Sequence, residues 1–217
     1  MKRSFSNHRG FTTVEFLGAA LSGAIVLSAL YGFYREQLFS LLLQETKTAT
    51  LEDARGALDI MVRELRNAGS FPKGADATCL KDASGNPLRV VSASSTSIQI
   101  QADTEPTTGN GPDGACTETG ERVTYAIGSG TDACPGPMTI TRNGYCLVAN
   151  VVVTAKEPLF TYFDISGTQL GGNPAVADVK RVRIRISVEV PDPTPKGKSL
   201  GNTIKSTLSS SVEFRNS

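Results

Sequence analysis

Apolar and polar positions divide this chain into three stretches of different period. From Phe11 to Tyr34 it reads FTTVEFLGAALSGAIVLSALYGFY, apolar apart from its hydroxyls and one carboxylate, Glu15. As a helix, about 24 residues rise roughly 36 Å, enough to cross a hydrocarbon core of about 30 Å with some tilt. Apolar helix formers continue from Leu38 to Leu43, after which Leu51, Ala54, Leu58, Met61, Leu65 and Ala68 recur three and four residues apart. Glu52, Asp53, Arg55, Asp59, Arg63, Glu64 and Arg66 fall on the other face, and Gly69 with Pro72 supplies a stop. The pattern predicts one helix from about Phe11 to Ala68. Its 11–34 part is membrane-spanning and its 35–69 part is an amphipathic stalk.

Beyond Pro72 the period drops to two. Ile98 and Ile100 alternate with polar residues in TSIQIQA, as do Val123, Tyr125 and Ile127 in ERVTYAI. PMTITR, YCLVANVVVTA, PLFTYFD and TLSSSVEF are further β-rich runs bounded by turn residues. In VKRVRIRISVEV, Val182, Ile184, Ile186, Val188 and Val190 line one face, with Arg181, Arg183, Arg185 and Glu189 on the other, the signature of an antiparallel sheet with one wet side. Residues 70–217 therefore form a β-rich head, and the stalk's apolar stripe needs a surface to lie on. The expected class is α+β: one long N-terminal helix packed through its amphipathic half on an antiparallel β-sheet head.

Charge and composition narrow the function. Lys2, Arg3 and Arg9 precede the apolar run with no acid among residues 1–10, and they account for three of 22 basic residues, leaving 19 against 21 acids. That balance gives no electrostatic case for nucleic acid. The basic residues before the run, with Arg35 and Glu36 offsetting each other after it, keep the N-terminus cytoplasmic and send the head outward. The single histidine, His8, lies in the basic stretch, so a chain without that stretch has no imidazole for a nucleophile system, a general base or a zinc site. Nothing in the chain resembles a P-loop, a GxGxxG turn after a strand, or a CxxC pair. These observations argue against an enzyme and call for no cofactor or metal.

Cys79, Cys116, Cys134 and Cys146 all follow the apolar run, spaced too irregularly for a zinc clip. In an exported head an even number favours disulfides, with three possible connectivities. Cys134 and Cys146 bracket PGPMTITRNGY, a strand and turn that bring them close. This favours Cys134–Cys146 and, by elimination, Cys79–Cys116. The Asp103–Asp113 loop, rich in glycine and carrying Asn110, lacks the ligand spacing and closing Glu of an EF-hand, and reads as a loop rather than a calcium site. The arginine row of the long strand reads as a solvated face that resists aggregation.

A secretory signal peptide would have a shorter apolar run and a small-residue cleavage site behind it; a lipoprotein would have a cysteine there, whereas the first is Cys79. A plain signal anchor fits length and charge but leaves Glu15 unexplained, since a carboxylate in a spanning segment is unfavourable unless paired or hydrated. The local pattern supplies an explanation. A basic leader ends Arg9-Gly10, and Phe11-Thr12-Thr13-Val14-Glu15 opens the apolar run. This resembles the class III signal, GF(T/S)xxE, of type IV prepilins and type II secretion pseudopilins. The resemblance implies cleavage between Gly10 and Phe11 by a prepilin peptidase and N-methylation of Phe11. The new ammonium would pair with Glu15 of a neighbouring subunit, in low dielectric. Residues 1–10 would be the leader.

More loosely, RELRNAGSF, DTEPTTGNGPDG, ERVTYAI, ITRNGYCLVANV, VRIRISVEV and SSSVEFRN resemble the PilW group of minor type IV pilins, with the early part shared by GspJ-type pseudopilins. Many major pilins carry a proline two-thirds along the apolar segment; here Gly18, Gly23 and Gly32 are the flexible positions instead. The expected function is a minor pilin that primes pilus assembly. Its partners would be the prepilin peptidase, other minor and major pilins, the inner-membrane assembly platform and the lipid bilayer. It would be a single-pass inner-membrane protein with a periplasmic head, later at the pilus or cell surface. The alternatives are a minor pseudopilin of a type II secretion system and a membrane-anchored periplasmic binding domain that never polymerises.

Overall fold

The structure, a computed structural model, describes residues 12–72, 74, 76–104, 112–117, 120–131, 134, 136–192 and 200–214. Helix α1 runs unbroken over Thr13–Asn67, about 80 Å at 1.5 Å per residue. Ala68 caps it, and Gly69 follows at φ +80°, where a Cβ would meet Arg89 Cβ at 2.8 Å. Both the left-handed turn and the close approach require glycine there. The head is antiparallel throughout. Strands β1 (Val90–Ala93), β2 (Ser97–Gln101), β3 (Arg122–Gly128), β4 (Thr139–Arg142) and β5 (Tyr145–Val148) form one sheet in chain order. Strands β6 (Phe160–Phe163), β7 (Arg181–Pro191) and β8 (Thr203–Glu213) form a second.

The class is thus α+β with one long N-terminal helix, but the head holds two sheets where the sequence pattern suggested one. The division falls inside YCLVANVVVTA. Asn150 takes a left-handed φ of 54° and turns the strand out of the β4–β5 ladder, so β5 ends at Val148. The following residues reach the second sheet through Val152 N–H to Ser187 O at 2.8 Å and an isolated bridge from Val151 to Val188.

Alternation along β7 follows the sequence: Val182, Ile184, Ile186, Val188 and Val190 are buried. On the opposite face, Arg183 is exposed while Arg181 and Arg185 are half-buried. Arg181 and Arg183 stack over the Phe163 ring at 4.7 and 5.0 Å from its centroid, so these arginines also cover an aromatic edge.

The halves of α1 have different surroundings. Phe16, Leu17, Leu21, Leu27 and Phe33 are each more than 60 % exposed, and the buried positions begin only at Ala54. That first half is long and apolar enough to cross a bilayer. In the second half the buried stripe is Ala54, Ala57, Met61, Leu65 and Ala68. The sequence pattern placed Leu51 and Leu58 in this stripe and left Ala57 out. At about 100° per residue the stripe centres near Met61, which puts Leu51, Leu58 and Val62 on one shoulder, where each is half-buried. Small alanines at the centre allow the helix close to strands β5, β7 and β8.

Glu64 marks the other shoulder, and the sequence pattern was wrong to set it on the wet face. Its carboxylate accepts hydrogen bonds from the Tyr125 hydroxyl of β3 and from Arg142 of β4, with Arg142 Nη2 at 2.8 Å and Nε at 3.0 Å. Tyr125 is fully buried. Burial and the adjacent carboxylate push its hydroxyl above the ordinary range, which keeps it a donor, while the bond to Glu64 raises Arg142. One carboxylate thereby fixes the rotation of the helix against the first sheet.

Replacing Glu64 with Ala leaves a buried hydroxyl without its acceptor and is expected to destabilise the head by about 1–3 kcal/mol. Glu64→Gln keeps an acceptor and is expected to lose less. Chemical denaturation of the two variants checks the order; equal losses would show that the hydroxyl finds another partner.

Candidate functional sites at the helix N-terminus and in the head loops

At the start of α1, Thr12 takes an extended backbone (φ −81°, ψ 151°) and acts as N-cap. Glu15 N–H donates to Thr12 Oγ1 at 3.3 Å, while Thr12 N–H and Oγ1 donate to Glu15 Oε2 at 3.0 and 2.9 Å. This is a capping box, T-x-x-E, which satisfies N–H groups the first turn cannot pair internally. The T-x-x-E spacing stands openly in Thr12-Thr13-Val14-Glu15, a local role for Glu15 beyond its charge. The carboxylate therefore has a local use in addition to any pairing with another chain. Gly10 and Phe11, the expected cleavage and methylation positions, lie outside the described residues, as do the leader and His8.

All four cysteines are in disulfides: Cys79 with Cys116, and Cys134 with Cys146. Each closes a loop beside the first sheet. Around Cys79, Asp76 accepts from the Thr78 hydroxyl and N–H, and Cys116 N–H donates to Thr78 Oγ1 at 2.8 Å, so a short polar chain steadies the bridge. The Thr78 bonds hold the Asp76 carboxyl below its usual range.

The base of the 103–113 loop gathers three carboxylates. Asp103 and Glu121 are buried, Asp113 is exposed, and their oxygens lie within 4.8 Å of one another. Oxygen donors so arranged suit a hard cation by chemistry. Asp103 is also committed to the chain itself: it accepts from Asp113 N–H at 3.2 Å and Gly114 N–H at 2.9 Å, which closes the loop. The sequence pattern marks 103–113 only as a loop without EF-hand spacing and gives no sign of Glu121. That residue joins them because β3 begins directly after it and Ala102 N–H bonds to its carbonyl.

An open groove of about 460 Å³ lies where the two sheets meet, lined by Thr96, Met138, Val153, Pro158, Tyr162 and Leu170 among others, with no carboxylate or amine. Its one ionisable group, the Tyr162 hydroxyl, donates to Ser94 O at 2.7 Å, and burial raises it above its ordinary range. It offers shape and apolar surface, not acid–base chemistry. Comparison with protein-family models, with curated proteins and with solved structures finds no match for this chain.

The two bridges close loops with sequence separations of 37 and 12. In the chain-entropy account these contribute about 4 and about 3 kcal/mol respectively. Reduction is expected to lower the unfolding free energy of the head by several kcal/mol in sum, read as a lower denaturation midpoint. Cys134→Ser with Cys146→Ser is expected to lose less than Cys79→Ser with Cys116→Ser. Non-reducing peptide mapping that finds free thiols would refute the assignment.

Proposed function

We propose that this chain is a minor type IV pilin, a pilin-like structural subunit that primes filament assembly. The observation that carries the reading is the helix. Its first half packs on nothing among the described residues, its second half is locked to an exported-type, disulfide-bonded head, and Arg9-Gly10-Phe11 with Glu15 stands at its start. A monomer gains nothing from some 30 Å of bare apolar helix in water; a bilayer, and then the packed helices of a filament, give that surface a place. In this reading the prepilin peptidase removes residues 1–10 and methylates Phe11. The subunit waits in the inner membrane with its N-terminus cytoplasmic and its head periplasmic. It then joins other minor and major pilins at the assembly platform and reaches the cell surface at the filament tip. The head acts by binding other subunits, without cofactor or catalysis.

One observation favours a second reading. The Thr12–Glu15 capping box accounts for Glu15 with no neighbouring subunit, as in an anchored binding domain that never polymerises. Glu15→Gln separates the two. Glutamine serves in a capping box but carries no charge. If Glu15 pairs with a neighbour's ammonium, the variant is exported and cut normally yet enters filaments poorly. Normal incorporation beside wild-type subunits would assign Glu15 to capping alone.

Mass analysis of the N-terminus from native membranes is expected to find N-methyl-Phe11, and Gly10→Val is expected to leave the chain uncut. Intact Met1 in cells with a working prepilin peptidase would sink the pilin assignment. Deleting the gene is expected to remove most surface pili while major pilin accumulates in the inner membrane. Normal pili with failed secretion of folded exoproteins would instead assign the chain to a type II secretion system.

A further inference from the structure

Strand β8 ends its sheet, and its outer side is an open hydrogen-bonding edge. The β7–β8 register runs from Arg181↔Glu213 to Pro191↔Thr203 without a bulge. Phe214 N–H bonds to Lys180 O just beyond it, so the even-numbered residues of β8 are those that bond to β7. On the far side of the ladder, Arg185 N–H bonds to Leu159 O, consistent with that phase. The N–H and C=O groups of Thr203, Lys205, Thr207, Ser209, Ser211 and Glu213 therefore point away from the sheet. Among the described residues none of these groups has a backbone partner beyond the edge.

Exposed edges in folded proteins are ordinarily blunted by charge, proline, bulges or short length. Over Ser206–Val212, β8 has no charge, no proline and no glycine. The layer beneath it is also unfinished. Ile204 and Leu208 point to the helix side and are only half-buried. So are Leu51, Leu58 and Val62, which sit on the shoulder of α1 opposite the one that Glu64 ties to the first sheet. α1 packs on β8, so that half-covered apolar shoulder borders the open edge.

We propose that β8 is a strand-addition site and that its occupant is an extended segment of a different polypeptide. That segment is uncharged at its centre, with apolar side chains toward α1 and hydroxyl or other small polar side chains toward Thr207, Ser209 and Ser211. Its backbone completes the ladder, and its apolar side chains cover Leu208 and the α1 shoulder.

A second copy is the obvious rival. Antiparallel pairing of two β8 strands centred on Ser209 would set Lys205 against Glu213 of the second copy, an attractive match. Such pairing is generated by a two-fold axis normal to the sheet, which reverses any helix lying on the sheet face. The two apolar helix halves would then point in opposite directions and could not share one bilayer. This exclusion rests on the membrane anchoring in the proposed function; the open edge itself does not.

The test is backbone amide exchange in the full-length protein, in membranes of cells that make it and after purification alone in detergent. The amides of Thr207, Ser209 and Ser211 are expected to exchange about 100-fold more slowly in the native membranes. Ser209→Pro removes one outward N–H and no bond to β7. It is expected to abolish the protection at Thr207 and Ser211 while Ser206, Leu208 and Ser210 stay protected. Thr207→Pro replaces it if those even-numbered amides are lost. Equal rates in the two preparations, or native protection that survives the proline, would overturn the proposal. Protection that rises with concentration of the purified protein would assign the edge to a second copy and overturn it equally. Sedimentation of the protein with membranes is read in the same samples; a soluble chain would remove the anchor and with it the argument against that second copy.

Discussion

The packing of α1 onto the inner faces of both sheets is the contact on which the head depends, because it supplies one continuous apolar layer shared by strands that belong to separate ladders. Met61 and Leu65 are fully buried in it, each removal from water contributing about 2–3 kcal/mol. Ala54 and Ala57 contribute less area but set the distance, since a larger side chain at either would lift the helix from β7 and β8. Packing of this kind is non-directional and would tolerate some rotation of the helix. Glu64 removes that freedom: it is held by a buried hydroxyl from β3 and a guanidinium from β4, both from the first sheet. Apolar contact provides the stabilisation, and a polar contact on one shoulder chooses the orientation.

That choice has a consequence for the other shoulder. With Glu64 tied down, Leu51, Leu58 and Val62 are turned toward the side where β8 ends the second sheet, and they remain half-covered there. The half-covered apolar strip thus lies beside an edge that is open for a separate reason, the position of β8 at the end of its sheet.

The first half of α1 obeys a different rule. It is helical without any tertiary support among the described residues, so its local determinants carry more weight. Thr12 and Glu15 close the first turn, and β-branched residues are few between Phe16 and Leu43. Glycines at positions 18, 23 and 32 do not interrupt the helix, and a Cβ at any of them would meet nothing within 4 Å. Their small size therefore meets no packing requirement within the described residues of this chain.

Much of this was legible in the sequence because it depends on periodicity. The period near 3.6 in the stalk, the period of two in β7 and the uninterrupted apolar run each state which surface favours shelter from water, and each needs only neighbours in the chain to be read. The T-x-x-E box is equally local, a spacing signal that the charge of Glu15 by itself does not reveal. What pattern could not decide are matters of pairing between distant segments. Glu64 looked like a wet-face acid until Tyr125 and Arg142, some sixty and eighty positions away, were brought against it. Glu121 shows no sign of joining Asp103 and Asp113 until β3 is docked. The break of the head into two sheets falls at a left-handed residue, Asn150, whose neighbours VVV suit a strand perfectly well. Side-chain period determines which faces are apolar; only the tertiary fold determines which face meets which, because that is settled by long-range contacts whose partners no local window contains.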